Sequence, residues 1–293
     1  MDTQRTGCVR TKEESRKIMK ILRGIGQIAL TWLGLVAAQM IAGMLVPVKA
    51  PSVGNILGWV AASDFLVAAA LDFAAMRCEW KGWRLGLALA AIPVGTTALT
   101  AIEGTVFLNH WDISWPRVIG ASLVTYALVA PLWVMIFGRH NPTGAHYRPV
   151  RSESPGRRVW KFLASDIAYL VLYIIAGAII FPFVKTFYAT HMPSLGRIAA
   201  VQLLIRGPLL VCLCLLLVRM LGLPRLSGAL AVGAVLSILN GVAPLLLPNP
   251  YLPDAVRWVH LGEISSSNFL FGVFVGWVWG QAKIPVHTIS QAG

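Results

Sequence analysis

His260 and Glu263 stand three residues apart in a stretch that is otherwise apolar and small, Arg257-Trp-Val-His-Leu-Gly-Glu-Ile-Ser-Ser-Ser-Asn-Phe-Leu-Phe-Gly272. On a helix this spacing puts imidazole and carboxylate on one side, with Ser267 and Phe271 within about 80° of them. Ser265, Gly272, Gly276 and Gly280 gather on the other side, as a groove for close helix packing. An imidazole next to a carboxylate can share a proton or hold a cation. The same i, i+3 spacing also suits a metal, which needs further ligands. Other ionisable residues interrupt apolar runs: Asp64, Asp72, Glu103, Asp166 and Arg206. Charges placed in hydrocarbon are costly and face a bundle interior or a wet cavity. Counted by depth, Asp64, Glu103, Arg206, His260 and Glu263 fall in the same half of the membrane. Three carboxylates there meet one arginine, which leaves a carboxylate for a proton, a metal ion or a cationic solute. The candidate binding cluster is Asp64, Glu103, Arg206, His260, Glu263, Ser267 and Asn268, with Arg206 paired to Asp64, Glu103 or Glu263. Neither a resident metal nor a cofactor is implied, and no residue is assigned as catalytic.

The elements that must position these groups are membrane helices. Mean hydropathy is +0.70, 57% of residues are hydrophobic and 13% are charged, far from a soluble average. Eight apolar runs are each near or above the twenty residues that cross the hydrocarbon. They start near Gly24, Asn55, Leu85, Val118, Val159, Ile198, Leu226 and Trp258. The expected fold is an all-α polytopic membrane helix bundle, divided into a basic tail (1–23), a first four-helix half (24–138), a basic linker (139–158), a second half (159–280) and a tail (281–293). The first run follows a polar, basic segment and is too long for a signal peptide, so it reads as a retained span. The tail reads as solvated. Pro93 is a candidate helix break, and Asn240-Gly241 with Pro244 a place where backbone loosens. The net charge of +13 lies in short segments between spans, which argues for topology signals and against nucleic acid. With both termini cytoplasmic, 19 of the 25 Lys and Arg fall on the inner side. The four cysteines form no framework and read as free thiols.

The halves share a sparse repeat. Ile41-Ala42-Gly43 recurs as Ile175-Ala176-Gly177, and Pro51-Ser52-Val53-Gly54-Asn55-Ile56 recurs as Pro193-Ser194-Leu195-Gly196-Arg197-Ile198. The second offset also aligns Arg77 with Arg219 and Gly86 with Gly228, so a tandem duplication of four plus four spans is expected. Such halves share one orientation, with an axis along the membrane normal.

Leu246-Leu-Pro-Asn-Pro-Tyr251 with Pro253, then Val256-Arg257, His260, Glu263 and Ser267 to Gly272, resembles the C-terminal signature of a group of uncharacterised bacterial multi-pass inner-membrane proteins. That resemblance implies a bacterial inner-membrane location and carries no activity. The expected function is binding or translocation of a small solute or cation through an outward-facing polar cavity lined by spans 2, 3, 6 and 8. Glu263 and Glu103 would be its carriers, Arg206 their counter-charge and His260 the group that tunes Glu263. Two other classes fit. One is an accessory subunit that docks a partner, or a second copy, through Gly272, Gly276 and Gly280. The other is an intramembrane metal-dependent hydrolase using His110, Asp112, His260 and Glu263.

Overall fold

A computed structural model describes residues 3–47, 56–106, 114–138, 147–149, 153–191, 194–248, 252–280 and 283–285. His110, Asp112, residues 51–54, Pro193, residues 249–251 and parts of the linker and C-terminal tail lie outside these. Among the described residues eight helices are long and apolar enough to cross a membrane: α1 (Thr3–Leu45), α2 (Leu57–Met76), α3 (Gly82–Val106), α4 (Trp115–Phe137), α5 (Pro155–His191), α6 (Leu195–Met220), α7 (Arg225–Leu246) and α8 (Asp254–Trp279). The chain is an all-α multi-pass membrane bundle. A short antiparallel pair, β1 (Tyr147–Pro149) with β2 (Lys283–Pro285), joins the linker to the C-terminal tail.

Helix is the structure hydrocarbon permits, because it satisfies every backbone group within one segment. The outward faces of α1 and α5 are large and apolar: Leu30, Leu33, Met40 and Met44 on one, Ile167, Val171, Ile174 and Ile179 on the other, all exposed. The interior uses smaller residues. Ala68, Ala70, Ala74 and Ala75 let α2 run through the centre, packed with Leu71, Leu89, Leu210, Leu217 and Trp133.

Two helices run past their apolar segments. The tail read as solvated is helical and continuous with α1, whose 43 residues extend about 64 Å. α5 has 37 residues and continues past Lys185, where its apolar run closes. Pro93 lies inside a continuous α3, with the Thr96 and Thr97 hydroxyls both donating to its carbonyl at 2.9 Å. The loosening expected near Asn240 is present as a π-helical turn over Ile238–Val242, and α6 has another over Gln202–Arg206. Each precedes a proline by one residue, Pro244 and Pro208. A proline has no N–H for the carbonyl four residues back, which for Pro244 is that of Asn240. The side chain of Asn268 on α8 donates to this carbonyl at 3.2 Å.

The helices pair in the same order in both halves: α3 on α4, α4 on α1 and α1 on α2; then α7 on α8, α8 on α5 and α5 on α6. Between the halves α2 packs on α7 and α3 on α6. At the end carrying Arg77, Arg84, Arg219 and Arg225, the α2–α3 and α6–α7 loops pair antiparallel through Cys78 and Leu221. The Glu79 N–H donates to Met220 O at 3.0 Å and the Gly222 N–H to Arg77 O at 2.9 Å. The following turn needs a left-handed residue, supplied by Gly82 with φ of 56°.

α7 fills the glycine groove of α8. A methyl on Gly272 would lie 2.7 Å from Gly233 Cα, and one on Gly276 would lie 2.6 Å from Ala229 Cα. Gly272 and Gly276, assigned above to partner docking or self-association, thus make an internal contact with α7.

Candidate functional site

Glu103 and Arg206 meet across the interface between the halves. Arg206 Nη1 lies 2.6 Å from Glu103 Oε1, with the Arg206 side chain 3% exposed and that of Glu103 32%. The π-helical turn carries both Gln202 and Arg206, and Gln202 Oε1 accepts from Arg206 Nη1 at 3.3 Å and from the Tyr169 hydroxyl at 2.8 Å. Arg206 Nε and Gln202 Nε2 are buried without acceptors among the described residues. Glu263 does not reach the arginine as a direct partner. Its Oε2 lies 2.8 Å from His260 Nδ1, and His260 Nε2 lies 2.7 Å from the Tyr188 hydroxyl. With the neutral imidazole carrying its proton on Nδ1, Tyr188 donates to Nε2 and Nδ1 donates to the carboxylate, a hydrogen-bonded line of three residues.

The two pairs belong to one electrostatic cluster. The charges of Glu103, Arg206 and Glu263 all act on Tyr169 and Tyr173, and Glu263 acts on Arg206. Tyr173 lies beside Gln202, while Tyr169 rests edge-on against Phe271 with ring centroids 5.2 Å apart. The cluster is therefore built by α3, α5, α6 and α8, and α5 stands where α2 was expected.

Of the seven candidates, Glu103, Arg206, His260 and Glu263 are brought together and the other three are placed elsewhere. Asp64 faces α1, where Gln39 Nε2 donates to its Oδ1 at 2.9 Å, so the Asp64–Arg206 pair does not form. Ser267 donates to the Ile264 carbonyl of its own helix at 3.2 Å. Asn268 caps α7. The cluster is closed rather than an open outward cavity: the Glu263 and His260 side chains are 7% and 10% exposed, and Glu103 is its most accessible member. The remaining buried carboxylates also lie apart. Asp72 accepts from Thr31 and from Trp133 Nε1, the latter at 3.0 Å, and Asp166 lies against Gly207 on α6. No group of three or more His, Cys, Asp or Glu side chains that could hold a metal occurs among the described residues. The metal set considered above drew on His110 and Asp112, which are outside them.

Sequence reasoning missed Tyr169, Tyr173, Tyr188 and Gln202. The i, i+4 spacing of Tyr169 with Tyr173, and of Gln202 with Arg206, was the available signal. Arg257, at the start of α8, was not among the candidates. Its side chain is buried, donates to the Leu245 and Leu246 carbonyls at 3.0 and 2.9 Å, and pairs with Asp254 at 2.9 Å.

No protein family, curated protein or solved structure matches the chain. Its functional reading therefore rests on the site's own geometry.

Proposed function

We propose that this chain is a bacterial inner-membrane protein, with both termini cytoplasmic, that binds or translocates a proton or small cation, alone or with a small solute, at the Glu103–Arg206–His260–Glu263 cluster. One observation carries the reading. Arg206, the permanent cation of the cluster, is committed to Glu103, so the direct partner of Glu263 among the described residues is His260, whose charge depends on a proton. A fixed ion pair would serve packing alone, whereas a carboxylate balanced by a titratable ring changes its charge as a proton or cation arrives. Tyr188 extends the line to the end of α5, and Glu103 provides the most accessible contact. The two halves are proposed to be a tandem duplication. Their shared pairing order supports this, as does the pairing of the α2–α3 loop with the α6–α7 loop at the same offset that aligns the Pro-Ser-x-Gly segments.

The test is ion flux in liposomes reconstituted with purified protein, with a pH-sensitive dye inside and sodium or potassium gradients applied separately. Wild type should dissipate a proton or alkali-cation gradient faster than protein-free liposomes, and Glu263→Gln, folded by near-ultraviolet dichroism, should lose most of that excess. Equal rates for wild type and Glu263→Gln with every ion would reject the proposal.

A further inference from the structure

We infer that the first half holds a separate proton-binding site centred on Asp64, which carries its proton in the resting protein. α1 and α2 run antiparallel and are tied by Trp32 Nε1 donating to the Ala61 carbonyl and by two carboxylate rungs: Gln39 to Asp64, and Thr31 to Asp72. The rungs lie eight residues apart on each helix, about 12 Å along the axis. They differ in one respect. Asp72 has a donor on each oxygen, Thr31 on Oδ2 and Trp133 on Oδ1. Asp64, 5% exposed, receives the Gln39 amide on Oδ1, while Oδ2 is buried with no partner among the described residues.

Among the described residues none of the groups packed around Asp64 donates to that oxygen. Ser63, its neighbour on α2, commits its one hydroxyl proton to the Ala243 carbonyl on α7 at 2.8 Å. Tyr126 on α4 is the titratable side chain on which the Asp64 charge acts, and α1 contributes the neutral Gln39. Arg206 pairs with Glu103 instead, and no Lys, Arg or His forms an ion pair with Asp64 among the described residues. An ionised carboxylate with a bare oxygen at this depth is the expensive state. A neutral acid has Oδ1 as the carbonyl that accepts from Gln39, and Oδ2 becomes a hydroxyl. The ligand of this site is thus a single proton, and the inference stands independently of ion flux through the Glu263 cluster.

Infrared difference spectroscopy of the full chain in lipid at neutral pH tests it. Asp64→Asn should remove one carbonyl stretch in the region of protonated carboxylic acids, and that band should be insensitive to exchange of sodium for potassium. Gln39→Leu, which removes the donor to Oδ1, should move the same band to higher frequency and provides a second readout if Asp64→Asn fails to fold. A protonated-acid region unchanged by both substitutions, or an Asp64 band that appears only when sodium is withdrawn, would overturn the inference.

Discussion

Replacing Glu103 with Gln removes the partner of a guanidinium that has almost no other compensation. Arg206 is 3% exposed, its remaining side-chain contact is Gln202 Oε1 at 3.3 Å, and its Nε has no acceptor among the described residues. Removing one member of a buried pair costs about 3–5 kcal/mol, because a charge is left uncompensated. Glu103 is a third exposed, so water can follow the lost charge, and the glutamine oxygen still accepts a hydrogen bond. These two effects reduce the expected loss to about 2–3 kcal/mol. Adding Arg206→Gln should recover most of it, since losing both charges removes the desolvation cost together with the attraction. Glu263→Gln in the Glu103→Gln background should cost more than in wild type, because Glu263 is then the nearest remaining counter-charge and the two sites are coupled. The assay is reversible unfolding in mixed micelles followed by tryptophan fluorescence, with the four corners of the Glu103/Arg206 cycle measured alike. A Glu103→Gln loss below about 0.5 kcal/mol, the range of exposed ion pairs, would refute the claim that this pair is buried and uncompensated.

Gly276→Ala places a methyl 2.6 Å from Ala229 Cα, a backbone atom that cannot swing aside. Separating α7 from α8 should cost about 1–3 kcal/mol in the same assay. Gly262→Ala on the same helix meets nothing within 4 Å and should be neutral or stabilising by up to about 1 kcal/mol; equal effects at both sites would contradict the groove assignment. Cys78, in the α2–α3 loop, is 4% exposed, and burial pushes its thiol up to about 11. Since the thiolate is the reactive form, maleimide labelling at pH 8, read by peptide mass, should be slow in the folded protein and rapid after denaturation. Equal rates in the two states would contradict the burial of the paired loops.

The spans were legible because hydrocarbon leaves so little choice: each apolar run had to be helical and long enough to cross. Depth was legible in part: counted along the apolar runs it grouped Glu103, Arg206, His260 and Glu263, of which Glu103 pairs with Arg206 and His260 with Glu263. Azimuth was not. Counting residues locates a side chain along the membrane normal but does not say which neighbour it faces, so Asp64 was grouped with Arg206 although it faces α1. Lys185 closes the apolar run of α5, yet the helix continues through Tyr188 and delivers that hydroxyl to His260. Ser267 shared the wheel face of Glu263, yet its short hydroxyl is taken up by its own helix. The tyrosines and Gln202 carry no formal charge, so hydropathy did not mark them, although they separate or connect every ionised group in the cluster.

The proposed duplication accounts for the ion pair occurring at one of the two related places on the interface between the halves and not at the other. The offset of 142 implied by the two Pro-Ser-x-Gly segments maps the bridge of Cys78 with Leu221 onto the pairing of Met220 with Glu79, as a two-fold axis through the loops requires. The same axis makes the α2–α7 contact the counterpart of α6–α3, and Asp64 the counterpart of Arg206. The counterpart of Glu103 is then Leu245, an apolar residue whose carbonyl is already occupied by Arg257. Across the interface Arg206 thus finds a carboxylate, whereas the position that would match that carboxylate for Asp64 is a leucine. With no cation at the matching position, a proton is the remaining means of neutralising Asp64. On this reading the two related places keep one scaffold but divide its charge chemistry: a permanent cation at Arg206 organises the Glu103–Glu263 cluster, and a proton-bearing acid occupies the matching place at Asp64.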